Sequence, residues 1–248
     1  MKKIFVMLAV AASLLAVSCG KDDNGNSGST KKPNSGEPTD LPVSLSGSNY
    51  FPIILDAESA ESIKSKIVLD LRPNAELDRR VDVWAAGETY TAGDAPGTNF
   101  YGTLGYTQLI CAAPGGWSGG GITNAKADEV SKFADVAAHP DQYYFHLGYK
   151  GKANEAHLIR VFGLNGEADI YEFAVGQGSV NIDGTNHTAI APKDGEFEAG
   201  EWVEYEFSIQ EMGLNFGGTA PYVYIMTFLS GNNPGAELSL DAIFIYKK

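Results

Sequence analysis

From residue 50 onward the chain runs in short stretches of β-branched and aromatic residues closed off by Gly, Pro, Asn or Asp, and apolar residues seldom recur at helical spacing. That pattern constrains the fold more than anything else in the sequence. A strand sends successive side chains to opposite faces, so each apolar face needs a second layer to cover it. The runs are 50–55, 66–71, 80–85, 104–112, 143–149, 157–164, 170–175, 202–209, 222–229 and 238–246. Strands of this length with turn residues between them predict an all-β chain folded as a β-sandwich or jelly roll. Two stretches depart from the pattern. Residues 57–64 read as a helical turn, and 126–138 carries Val130, Phe133, Ala134 and Ala137 at helix-like spacing before Pro140.

Alternation assigns the faces. In 202–209, Val203, Tyr205, Phe207 and Ile209 share one side, while Trp202, Glu204, Glu206 and Ser208 share the other, which is expected to be wet. Val81, Val83 and Ala85 point inward and leave Arg80, Asp82 and Trp84 together outside. Tyr143, Phe145, Leu147 and Tyr149 oppose Tyr144, His146 and Lys150. Several strands thus place an aromatic among charges on a face expected to be polar. Sugars present an apolar C–H face and a rim of hydroxyls, which aromatic platforms and polar side chains match respectively. Trp84, Tyr144, His146, Arg80 and Asp82 are therefore candidate ligand contacts, whereas Trp202 suits a cap over the core. A further candidate, Trp117, stands in Ala113-Pro114-Gly115-Gly116-Trp117-Ser118-Gly119-Gly120-Gly121. Glycines this dense argue against regular structure, so the ring either lines a binding surface or folds back as a plug.

The N-terminus gives an address. Met1-Lys2-Lys3 precedes an apolar stretch over 4–17, shorter than the roughly 20 residues that a membrane-spanning helix needs. Residues 1–18 therefore read as a signal peptide. Leu15-Ala16-Val17-Ser18-Cys19 resembles the lipobox of bacterial lipoproteins, with Ala16 where leucine is commonest. The resemblance implies cleavage before Cys19 and a lipid on its sulfur. Lys21-Asp22-Asp23 resembles the lysine-plus-acidic tag of surface-exported lipoproteins of the Bacteroidota, and Gly20 in place of aspartate argues against inner-membrane retention. The expected place is the outer membrane, facing the cell exterior. Residues 19–47, dominated by Gly, Ser, Asn, Asp, Lys, Pro and Thr, bury too little apolar surface to order themselves and are expected to be a flexible tether. Residues 48–248 then form one domain.

A net charge of −13 repels nucleic acid and anionic lipid and is indifferent to uncharged sugars. With Cys19 lipidated, Cys111 has no disulfide partner and reads as a small buried hydrophobe. His139, His146, His157 and His187 lack zinc spacing, and no Gly-x-Ser-x-Gly elbow occurs. Glycoside hydrolysis needs only two carboxylates across a cleft, and Glu172, Glu204 and Glu206 lie on strands where such a pair can sit. Nothing in the sequence selects them over solvated sheet-face glutamates.

Three segments resemble the galactose-binding-like jelly rolls that make up many carbohydrate-binding modules. They are the acidic Asp56-Ala57-Glu58, the Trp-opened Glu201-Trp202-Val203-Glu204-Tyr205-Glu206-Phe207-Ser208-Ile209, and the terminal Leu238-Ser239-Leu240-Asp241-Ala242-Ile243-Phe244-Ile245-Tyr246. The likeness spans most of 50–248 in order, through short motifs. It implies a carbohydrate ligand and a structural Ca²⁺ held by Asp56 or Glu58 with Asp241 and backbone carbonyls, oxygen donors of the kind a hard cation prefers. The expectation is a surface lipoprotein that captures oligo- or polysaccharide without cleaving it, beside neighbouring glycan-uptake proteins. The alternatives are a glycoside hydrolase or lyase, marked by turnover, and an adhesin or assembly subunit, marked by a continuous apolar patch without a groove.

Overall fold

The computed structural model describes residues 41–84, 90–112, 118–231 and 233–248. The signal peptide, Cys19, the tether as far as residue 40, and Trp117 lie outside the described residues. The strands are β1 (Ser48–Ile54), β2 (Val81–Val83), β3 (Tyr90–Thr98), β4 (Leu104–Cys111), β5 (Gly119–Thr123), β6 (Tyr143–Lys150) and β7 (Ala156–Phe162). They continue as β8 (Ile170–Gly176), β9 (Ser179–Ile182), β10 (Thr185–Thr188), β11 (Val203–Ser208), β12 (Tyr224–Leu229) and β13 (Glu237–Lys247). Among the described residues the short α-helices are α1 (Val43–Ser46), α2 (Ala57–Ser62), α3 (Ala134–Ala138) and α4 (Ile209–Met212).

β11, β6, β13, β4 and β3 form one sheet in that order, and β1 makes it six-stranded by pairing with β13. β2, β5, β12, β7 and β8 form a five-stranded sheet. The row β1-β13-β6-β11 thus faces the row β5-β12-β7-β8, which is the strand order of a jelly roll. The β-sandwich expected from the strand pattern is the observed fold.

Between the sheets, Phe145, Leu147, Tyr205 and Ile245 from one side meet Ile122, Ile159, Phe173 and Phe228 from the other. Each such side chain contributes about 1.5–3 kcal/mol on burial. Of the inward set predicted by alternation, Tyr143, Phe145, Leu147, Tyr149, Tyr205 and Ile209 are in the core, with Val81, Val83, Val203 and Phe207 against it, and Ala85 lies outside the described residues. In β13 a bulge breaks the alternation. Ala242 takes a φ of 50°, the register with β6 shifts between Asp241 and Phe244, and the strand rolls over. Leu238 and Leu240 before the bulge and Ile243 and Ile245 after it all face the central core, while Phe244 and Tyr246 turn outward into a second cluster.

The two helical expectations hold. Asp56 caps α2 by accepting from the N–H groups of Glu58 and Ser59. The stretch near 126–138 becomes a 3₁₀ turn, Val130–Phe133, followed by α3, with Phe133 and Val136 buried. Other expectations are corrected. Residues 66–71 are no strand: they meet β1 through one isolated bridge, Tyr50 to Ile67, and through bonds from Val68 and Leu71. Pro52 of β1 accepts from Leu71 but has no N–H to return, so a ladder cannot propagate. Of the glycines expected to prevent regular structure, Gly119, Gly120 and Gly121 build β5, which is buried along its whole length, while Gly115 and Gly116 lie outside the described residues. β9 and β10 form an unforeseen hairpin around Asp183-Gly184, both at positive φ (50° and 83°). Finally, the last residues expected to be tether are folded: α1 spans Val43–Ser46, and its Leu45 is buried in the second cluster with Tyr50, Phe244 and Tyr246.

Candidate functional site

The sequence candidates divide between the outer faces of the two sheets. On the six-stranded sheet, the face expected to be wet around Tyr144, His146, Glu204 and Glu206 is roofed by α1, α2 and the 99–101 segment. His146 is completely buried, stacked on Phe244 at 4.6 Å, with Nδ1 2.6 Å from the Ala242 carbonyl and Nε2 3.3 Å from Glu204. Burial removes it as a ligand contact. Tyr144 lies 6.3 Å from the Tyr246 ring, and the Lys248 ammonium sits 3.8 Å above it. Lys193 bridges Glu204 at 2.7 Å and Glu206 at 2.9 Å, and Glu206 also receives Lys248 and the Tyr246 hydroxyl, each at 2.6 Å. Burial works to raise the Glu204 pKa, but hydrogen bonds from His146 and Lys193 outweigh it and bring it down to about 2. A general acid is tuned the opposite way, so this network holds the roof rather than supplying a proton.

On the five-stranded sheet the outer face is built on an absence of side chains. Register aligns Asp82, Gly121, Thr227, Arg160 and Glu172 in one outward row across β2, β5, β12, β7 and β8. Because Gly121 has no Cβ, the Tyr224 ring lies directly on its backbone; a Cβ there would stand 2.6 Å from that ring. Gly120, pointing the other way, admits the core ring of Phe228 equally closely. β5 is thus a trough, and the Tyr224 ring lies in it. Trp84 donates its indole N–H to the Tyr224 hydroxyl at 3.0 Å, with ring centroids 5.7 Å apart. Tyr224 lies 5.7 Å from Tyr222, which lies 4.8 Å from Phe162. Trp84, Tyr222 and Tyr224 remain partly exposed.

Charges flank this line of rings in pairs. Arg160 meets Glu172 at 2.9 Å, and Arg80 meets Asp82 at 2.6 Å and also Asp78. The Thr227 hydroxyl beneath is buried and has no hydrogen-bond partner. At one end the β9–β10 hairpin closes the face, packing Val180 and Ile182 with Leu158, Leu229 and Trp84. Trp84, Arg80 and Asp82 therefore share a surface with Tyr224, Tyr222, Phe162 and Arg160, which the sequence reading missed. Tyr222 and Tyr224 open a run already taken as a strand, but only Gly121 beneath the Tyr224 ring shows why that ring lies flat.

A second place of interest is the pair Asp56 and Asp241. Asp241 is almost wholly buried and accepts from the Phe100 N–H at 3.2 Å. Burial, with the charge of Asp56 adding to it, pushes its carboxyl up to about 7. One oxygen of Asp56 caps α2, while the other is buried without a partner. Two adjoining carboxylates and an orphaned oxygen fit a hard cation. Glu58, by contrast, is exposed on the first turn of α2, and no group of three or more His, Cys, Asp or Glu poised for a metal occurs among the described residues.

No protein-family model matches the sequence, and no curated protein does. Among solved structures the chain is similar to the family 30 carbohydrate-binding module of a cellulosomal cellulase of Clostridium thermocellum, at 15% identity and a TM-score of 0.39, covering 67% of this chain and 87% of that one. It is similar to the CBM22-1 xylan-binding domain from Paenibacillus barcinonensis, at 13% identity and a TM-score of 0.34, covering 67% and 85%. It is also similar to SGBP-B from a complex xyloglucan utilization locus in Bacteroides uniformis, at 12% identity and a TM-score of 0.29, covering 82% and 46%. What this chain binds has to be read from its own side chains.

Proposed function

We propose that this protein holds an uncharged oligo- or polysaccharide, without cleaving it, across the outer face of the five-stranded sheet. The observation that supports this most is the line of partly exposed rings Trp84, Tyr224 and Tyr222, with Tyr224 laid over Gly121 and paired charges alongside. Trp84, Tyr224 and Tyr222, which stay partly exposed, offer apolar platforms for sugar C–H faces, and the buried Phe162 backs Tyr222. Arg160 and Asp82 supply donors and acceptors for hydroxyls. Arg160 and Arg80 each already face a carboxylate, so both guanidinium charges are matched, which suits a neutral ligand.

In the same reading Cys19 carries the lipid, residues from 19 onward tether the domain to the outer membrane, and the captured glycan passes to neighbouring uptake proteins. Asp56 and Asp241 would hold a Ca²⁺. Bound there, the ion supplies the positive charge that lets both carboxylates ionise together.

The test is a glycan-array screen of residues 20–248, which lack the lipid cysteine, repeated with Tyr224→Ala and Trp84→Ala. Each variant is expected to weaken binding about tenfold or more, a loss of ~1.4 kcal/mol or greater, while the cooperative melt persists. Unchanged binding in both variants, or no binding to plant, mucin or microbial glycans, overturns the reading and moves it toward protein adhesion.

A further inference from the structure

Away from the aromatic face, a cleft of about 540 Å³ opens on the flank of the sandwich, between the end of β1, the segment preceding β2, and strands β3 and β4. Its size is within the roughly 300–1,000 Å³ typical of small-ligand sites. Carbon surface comes from Ile54, Leu55 and Leu77. Among the described residues no aromatic ring lines it, so they give a flat ligand nothing to stack on.

The polar groups in the wall select further. Arg72 is clamped by Asp70, with Nη2 2.7 Å and Nε 2.9 Å from its carboxylate. Arg79, 3% exposed, spends one terminal nitrogen on the Asp70 carbonyl and the other on Glu129. Both guanidinium charges are matched, which leaves nothing to attract an anion. Yet the Arg79 Nε is buried without an acceptor, a condition that native interiors rarely tolerate. Asn74 spends its side-chain oxygen on the Glu76 N–H, so its amide N–H₂ is the part left to donate. Asp94, exposed on β3, has no ion-pair partner among the described residues, and it shares the cleft with Thr107. Donors at Asn74 and Arg79, an acceptor at Asp94 and a two-way hydroxyl at Thr107, set around aliphatic carbon, match a compact neutral polyol.

We propose that this cleft is a second saccharide site, taking a neutral sugar unit into the flank instead of along the sheet. The cleft adjoins a depression lined by Arg79, Arg80, Asp94 and Thr107, and Arg80 in turn borders the hollow that contains Tyr222. The two sites therefore lie on one continuous path around the β2 margin. Each stands on its own groups, and they can fail separately.

The experiment is a two-dimensional amide NMR titration of residues 20–248 with methyl glycosides of glucose, galactose, mannose and xylose. Shifts are expected for the amides of Asn74, Asp94 and Thr107. Asp94→Ala and Thr107→Val, both at positions outside the core, are expected to weaken that response about tenfold, while Tyr224→Ala leaves it unchanged. Absence of shifts at those amides, or shifts indifferent to Asp94→Ala and Thr107→Val, overturns the second site. Loss of the response in Tyr224→Ala also overturns it, because the glycoside then sits on the sheet face alone.

Discussion

At the scale of single residues, Gly121 decides whether the aromatic face exists. A methyl group there would lie 2.6 Å from the Tyr224 ring and 3.1 Å from Thr227 Cγ2, so Gly121→Ala must push the ring off the strand. The expected cost is about 1–3 kcal/mol of stability, read from urea unfolding, together with weaker glycan binding. A variant that unfolds normally and still binds would separate the ring from the site. Asp241 makes a second residue-level prediction. Its folded pKa, about 7, is raised above the unfolded value. The stability it contributes is therefore full below about pH 3.9 and is lost as pH rises through 7. A cation binds the ionised form and opposes that loss. Ca²⁺ is thus expected to raise the melting temperature more above pH ~7 than near pH ~5, and Asp241→Asn to abolish the difference. An equal Ca²⁺ effect at both pH values would place the ion elsewhere.

At the scale of elements, α1 is a structural part that looks like linker. The Tyr50 hydroxyl donates to the Ser44 carbonyl at 2.9 Å, and Tyr101 and Ser44 share a hydroxyl contact of 2.8 Å. Leu45, 2% exposed, closes the second apolar cluster. Leu45→Ala is expected to cost about 2–3 kcal/mol, and a chain begun at Ser48 should melt below one begun at Asp40 by scanning calorimetry. Composition hid this element, since Pro42, Ser44, Ser46 and Gly47 read as tether. The β9–β10 hairpin was more legible than its omission suggests. Val180 and Ile182 alternate with polar residues up to Asp183-Gly184, a pair that suits the tight turn of a two-residue hairpin. β3 was hidden for the opposite reason: Gly93, Pro96 and Gly97 weaken a strand signal, and the position of β3 at the sheet margin is what tolerates proline.

At the scale of the whole molecule, the two outer faces are treated differently, and pH can show it. The six-stranded face is tied down by carboxylates held ionised. Glu204 is brought down to about 2. The carboxyl of Asp135 is held far below its ordinary range by hydrogen bonds from Tyr143, Lys247 and His139. Depressed pKa values contribute stability above the unfolded value near 4 and lose it as pH falls toward the folded values. The melting temperature is therefore expected to drop between pH ~4.5 and ~2, and Glu204→Gln to lower the plateau above that window while flattening the slope within it. An unchanged slope would remove Glu204 from the network that holds the roof.

The sequence by itself determined that the chain is a β-sandwich and which residue of each alternating pair faces the core, because side-chain direction in a strand is local and has a period of two. It could not determine the fate of the outward residues. His146 and Trp84 both read as outward aromatics among charges, yet one is sealed beneath α1 and the 99–101 segment and the other stays on an open face. What covers an outer face arrives from distant parts of the chain: Leu45 over Phe244, or Val180 beside Trp84. Only the tertiary structure decides which face keeps its water, since that depends on where those remote apolar groups find enough surface to bury.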